Sequence, residues 1–113
     1  MNKSVAEIVI SRAGGYCEKC GGPVGSDYAL HHRKLRSQGG ANVASNLLVL
    51  HHKCHNLGTD SVHLNPTLSQ RSGYIVPSWG NPLDWPLARP DGSSVRLCDD
   101  GSVTTIETEQ GNG

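Results

Sequence analysis

The chain has no phenylalanine, and aromatic side chains make up only 4% of its 113 residues. Apolar residues amount to 35%, while glycine and proline contribute 14 and 6. A large aromatic core is therefore excluded, and a small domain with so little to bury usually needs a staple. No segment approaches the roughly 20 apolar residues of a membrane-spanning helix, so no membrane partner is expected. The opening MNKSVAEIVISR lacks the long apolar stretch of a signal peptide, which leads to the expectation of a cytoplasmic protein. Formal net charge is zero, which removes any overall excess that would attract a polyanion. Length allows one domain, or one domain with a tail.

Against these absences stand four cysteines and six histidines. In a protein expected to be intracellular, Cys-x-x-Cys points to metal rather than to two disulfides. Cys17 and Cys20 have the spacing of a zinc knuckle, in which two ligands from one tight turn reach a single tetrahedral ion, and Gly21-Gly22 permits that turn. The second pair ends at Cys54. His51 leaves two residues between the ligands and is preferred, whereas His52 leaves one, a poorer bite. The expected structural Zn2+ set is therefore Cys17, Cys20, His51 and Cys54, the bland alternative being reduced cysteines buried in a core. Cys98, beside Asp99-Asp100-Gly101, reads as a plain core or edge cysteine.

All six histidines fall between positions 31 and 63, more than one zinc quartet can use. Charge is also unevenly spread. Residues 1–56 carry seven cations (Lys3, Arg12, Lys19, Arg33, Lys34, Arg36, Lys53) against three anions, and the remainder carries three cations against seven anions. A basic half that also contains the metal-type residues is a footprint for a polyanion, with ordinary solvated charge as the alternative.

Ser4-Val-Ala-Glu7 has the form of a capping box, and Val5, Ile8 and Val9 follow at helical spacing until Gly14-Gly15. This predicts a short N-terminal helix of about two to three turns. Residues 28–33 read as a strand, 37–42 as a flexible glycine-bearing loop, and Leu47-Leu-Val-Leu50 as a second buried strand. A helix should begin around His52 to Cys54. Asn65 as cap and Pro66 at the first helical position predict another that ends near Gly73. Beyond Gly73 four prolines break helix. Val95–Leu97 and Val103–Ile106 flank Asp100-Gly101, so a small hairpin is expected, followed by a disordered tail over 107–113.

His31-His32-Arg33, Gly39-Gly40, Asn46-Leu47 and Cys54-His55 together resemble the HNH (ββα-metal) endonucleases, in particular the small zinc-bracketed members common in bacteriophages. The likeness covers residues 17–63, and Gly73-Tyr-Ile-Val-Pro77 with Trp79 resembles the tail of phage members. The resemblance implies a small α+β fold: a ββα-metal finger of hairpin plus helix, stapled by structural zinc, with a short N-terminal helix and a C-terminal β-hairpin or tail. The expected divisions are a nuclease domain over 1–76, an extension over 77–106 and the tail over 107–113. It further implies that His32 is the general base, that Asn46 hydrogen-bonds the hairpin backbone and holds the base, and that His31 and His55 ligate a catalytic divalent metal (Mg2+, Mn2+, Ni2+ or Zn2+). His63 resembles a third ligand of some members, and reads equally as a surface histidine. Arg33, Lys34, Arg36 and Lys53 are expected to contact DNA phosphates without reading sequence. The implied function is metal-dependent hydrolysis of DNA phosphodiester bonds, with a phage terminase as partner in genome packaging. The other readings are a non-catalytic zinc module that binds nucleic acid or protein, and cleavage of RNA. Adjacent strand residues face opposite sides, so His31 and His32 can share one site only if the strand ends or bulges there.

Overall fold

The computed structural model describes residues 4–26, 28–58 and 61–106. The tail expected to be disordered, 107–113, lies outside them. Helix α1 spans Val5–Ala13, with Ser4 Oγ accepting from Glu7 N and the Glu7 carboxylate accepting from Ser4 N. Both halves of the capping box are therefore formed. Gly14, at φ 64°, ends the helix by donating its N–H to Ile10 O. Val9 is the fully buried contact of this helix, with Val5, Ile8 and Ala13 packed at the margin of the core.

Strands β1 (Ala29–His32) and β2 (Leu47–Leu50) form an antiparallel hairpin in which His31 faces Leu48 and His32 faces Leu47. All four residues of β2 are buried, so this strand runs through the centre of the molecule and carries the hairpin with it. The 14-residue connection contains tight turns at Arg36–Gln38 and Ala44–Asn46. Gly40 lies against the start of that loop, where a Cβ would overlap the carbonyl oxygen of Lys34. The helix expected after β2 is one wide turn, Lys53–Leu57, closed by Gly58 N donating to Lys53 O. Such five-residue turns are uncommon and recur at functional sites. Helix α2 (Pro66–Ser72) has Asn65 at its N-cap, as expected, and Pro66 in its first turn, but the Asn65 side chain makes no cap hydrogen bond. Its side-chain amide donates to Ser61 O.

The C-terminal part contributes a strand more than the expected hairpin: β3 (Leu87–Ala88), β4 (Ser94–Leu97) and β5 (Val103–Ile106) form an antiparallel sheet in that order. Leu87, Val95 and Leu97 join Val9, Leu48, Leu50 and Val62 in one core cluster. No helix among the described residues is long and apolar enough to cross a membrane.

Two buried arginines tie these pieces together. Arg12 of α1 forms a two-pronged pair with Glu18 at 2.8 Å for each prong, and donates to Ala44 O and Leu47 O. Glu18 also accepts from Val49 N, so helix, knuckle and β2 share one ion pair. Arg33 was expected to face DNA and does not. It is fully buried, and its guanidinium donates to Gly73 O (2.8 Å), Ser45 O (2.8 Å), Pro82 O (3.2 Å) and Trp85 O (2.7 Å). Backbone carbonyls turned inward at three places need a donor, and the fork of an arginine supplies several at once. Arg33→Met should cost about 3 kcal/mol of unfolding free energy, because it strands buried carbonyls. Urea denaturation followed by circular dichroism measures this. A loss under about 0.5 kcal/mol, the range of an ordinary surface substitution, would refute the structural role.

Candidate metal centres and active site

The knuckle Cys17–Cys20 and the turn after β2 meet at one point. Ligand atoms of Cys17, Cys20, His51 and Cys54 all lie within 4.8 Å of one another. Cys20 Sγ is 3.2 Å from His51 Nδ1, and His51 Nε2–H donates to Pro23 O at 2.7 Å. That bond fixes the tautomer, leaving the Nδ1 lone pair toward the sulfurs, as a ligating histidine requires. Cys17 Sγ accepts from the backbone N–H groups of Lys19, Cys20 and His51, and Cys20 Sγ from Gly22 N. Burial pushes the Cys17 thiol up, but these donors outweigh it and bring it down to about 7. Burial and the neighbouring Cys17 push Cys54 up to about 12. Thiols held this close resist joint ionisation, and a cation relieves that conflict. The quartet thus could hold a zinc, with His51 rather than His52 as its histidine.

A second cluster lies on the other side of Cys54. His31, His55 and His63 bring ligand atoms within 4.8 Å of one another, with ring centroids 4.6 to 5.4 Å apart. His55 Nε2 and His63 Nε2 are 3.0 Å apart. His31 Nε2–H donates to Tyr74 O at 2.6 Å, which leaves Nδ1 as its lone-pair nitrogen. Burial, partly offset by that carbonyl and reinforced by the other histidines, pulls His31 down to about 4, and burial and His63 lower His55. Both shifts favour the uncharged imidazole, the form that can ligate a metal. His63 owes its place to the backbone: Val62 N donates to Cys54 O and His63 N to His55 O, while the Val62 side chain is buried in the core. Gly58 is also required here, since a Cβ would approach Lys53 O to 2.7 Å and open the turn that carries Cys54 and His55.

Strand β1 ends at His32, and His31 and His32 both line an open groove of about 240 Å³ with Leu30, Leu35, Arg36, His55 and His63. His32 Nε2–H donates to Asn42 Oδ1 at 2.6 Å, so its Nδ1 is the basic nitrogen. Asn42 was not singled out in the sequence, although it stands two residues after Gly39-Gly40 in the loop. Asn46 is fully buried. Its Oδ1 accepts from Lys34 N, and its amide donates to Lys34 O and Ala41 O, closing the loop that carries Asn42. Of the cations expected to meet DNA, Arg33 is interior and Lys34 Nζ donates to Gly80 O, whereas Arg36 and Lys53 are exposed.

The family model of the HNH endonucleases matches residues 17–61. This segment is an HNH domain, and it contains the hairpin, the cysteine-histidine frame and all the groove histidines except His63. No curated protein and no solved structure matches the chain.

Purified protein should carry a single tightly held zinc, and Cys54→Ser should release it and lower the melting temperature. Elemental analysis alongside thermal unfolding measures both. Protein that keeps its fold with only traces of zinc would remove the structural metal.

Proposed function

We propose that this HNH domain makes the chain a divalent-metal-dependent endonuclease that hydrolyses DNA phosphodiester bonds, nicking or cutting both strands. The observation that carries the reading is the meeting of a three-histidine cluster and a separate, oriented histidine in one open groove. A ligand set of His31, His55 and His63 leaves positions open for substrate and water, as three-ligand catalytic sites do. The bound ion would supply Lewis-acid stabilisation of the charge developing on phosphate and leaving oxygen.

The protein's own residues do the rest. His32 takes a proton from the attacking water at Nδ1, and Asn42 holds the opposite ring nitrogen so that this lone pair stays aimed. Asn46 holds the loop shut from inside, keeping Asn42 in reach. Arg36 and Lys53 take backbone phosphates, which positions the duplex without reading its bases. All three cluster ligands are imidazoles, a donor set better matched to nickel or zinc than to magnesium. Action beside a terminase in phage genome packaging is the finer proposal, supported by the likeness of Gly73–Pro77 and Trp79 to phage members.

The parent protein should nick supercoiled plasmid when nickel, manganese or magnesium is added, with magnesium the weakest. His32→Ala should lower the rate by at least about 100-fold, the usual contribution of a general base, with no change in melting temperature. Asn42→Ala should give an intermediate loss confined to kcat. Gel quantitation of nicked circles over a metal titration measures all three. Undiminished cutting by His32→Ala would reject the base. DNA binding without cutting under any ion would leave a zinc-bearing binding module.

A further inference from the structure

Helix α2 begins three residues after His63, and two open clefts of about 340 and 590 Å³ lie along it. Both are lined by Thr67 and Arg71, which are four residues apart and so share a helix face. The two clefts therefore adjoin at this face. The first cleft starts at Asn65, beside the histidine end; the second finishes against Trp85 and Pro86. Seven helical residues span about 10 Å, and the helix starts three residues after His63 of the histidine groove.

Two features of this path match a nucleic-acid strand. Arg71 is exposed and makes no hydrogen bond or ion pair among the described residues, which leaves its guanidinium free for a phosphate. At the far end Trp79 packs edge-on against Trp85, with ring centroids 5.2 Å apart, and is 76% exposed. Trp85 Nε1 donates to Gln70 O, and Lys34 Nζ donates to Gly80 O beside Trp79. The aromatic pair is thus tied both to α2 and to the hairpin. An exposed ring packed on Trp85, which shares a cleft with Arg71, suits base stacking, and only an unpaired base offers its face.

We propose that the path along α2, from Asn65 through Arg71 to Trp79, binds an unpaired nucleic-acid strand running out of the histidine groove. This rests on the nuclease reading of that groove, because the strand is the same substrate. The site would favour cutting next to single-stranded or melted segments over cutting within continuous duplex.

The chain contains two tryptophans, and both are in this pair, so intrinsic emission reports on the path alone. Full-length His32→Ala protein, which should not cut, is titrated with an oligothymidylate and with a duplex of equal length, while anisotropy of a labelled strand follows binding independently. The single strand should quench the emission saturably and the duplex should quench it less. Trp79→Ala should weaken single-strand binding about tenfold, and Arg71→Ala should reduce the salt dependence by about one counterion. Both side chains are exposed, so circular dichroism should show both variants folded. Binding that leaves the emission unchanged, equal quenching by duplex, or no single-strand binding would each overturn the proposal. Plasmid nicking by the parent protein is scored separately, so loss of the nuclease reading and loss of this surface are distinguishable.

Discussion

The guanidinium of Arg33 is the constraint on which the hairpin's placement depends. Its four acceptors come from the turn before β2, the end of α2 and the loop before β3, three segments that this one side chain joins. Its backbone is engaged as well, with Arg33 N donating to Asn46 O and Val76 N donating to Arg33 O. Because it directly follows His31 and His32, fixing Arg33 fixes where the strand ends and which way those rings emerge. Burial pulls its pKa down to about 10, still well above neutrality, so the charge persists inside. A buried cation with no carboxylate on it is stable only where dipoles replace water, and inward-turned carbonyls do so.

The two ligand clusters are nested because Cys54 and His55 are adjacent in a wide turn. Successive residues in a helical turn diverge by about 100°, so one side chain reaches inward to the cysteine frame while its neighbour opens on the groove. His51, at the start of that turn, serves the frame. Its carbonyl accepts from both Cys54 N and His55 N, so a shift of the frame moves His55 directly. A zinc in the frame would therefore stiffen the groove without entering it. The same turn accepts the backbone of Val62 and His63, so the third histidine is positioned by the turn too.

What could be read from the sequence was what depends on short spacing. The capping box at Ser4–Glu7, the knuckle at Cys17–Cys20, the bite of His51 over His52 and the apolar strand Leu47–Leu50 are local patterns, and local geometry decides them. What could not be read depends on partners far along the chain. Arg33 looked like a phosphate contact because its type and its neighbours were basic, and nothing nearby reveals that carbonyls 40 to 52 residues away would enclose it. Asn42 acts through a loop whose closure needs Asn46 and Gly40 together. The carbonyls of Tyr74 and Pro23 that fix two histidine tautomers carry no side-chain signature at all. Asn65 stands at the cap position but makes no side-chain cap bond, and its amide nitrogen donates back to Ser61 O, which residue type alone does not reveal.

The burial of arginines also changes the meaning of the charge count. Of the seven cations in the basic half, Arg12 is bound to Glu18 and Arg33 is interior, and Lys34 is held by Gly80 O. Lys19 sits 5.8 Å over the ring of Tyr74. Lys3 lies outside the described residues, so among those described Arg36 and Lys53 remain as the exposed cations of that half, few for affinity built mainly on phosphate neutralisation, which grows with each contact. On the proposed nuclease reading, substrate would be held by other means: ligation at the histidine cluster, and contact with bases rather than phosphates. The exposed tryptophan pair and the free Arg71 along α2 are where the molecule offers that second kind of contact.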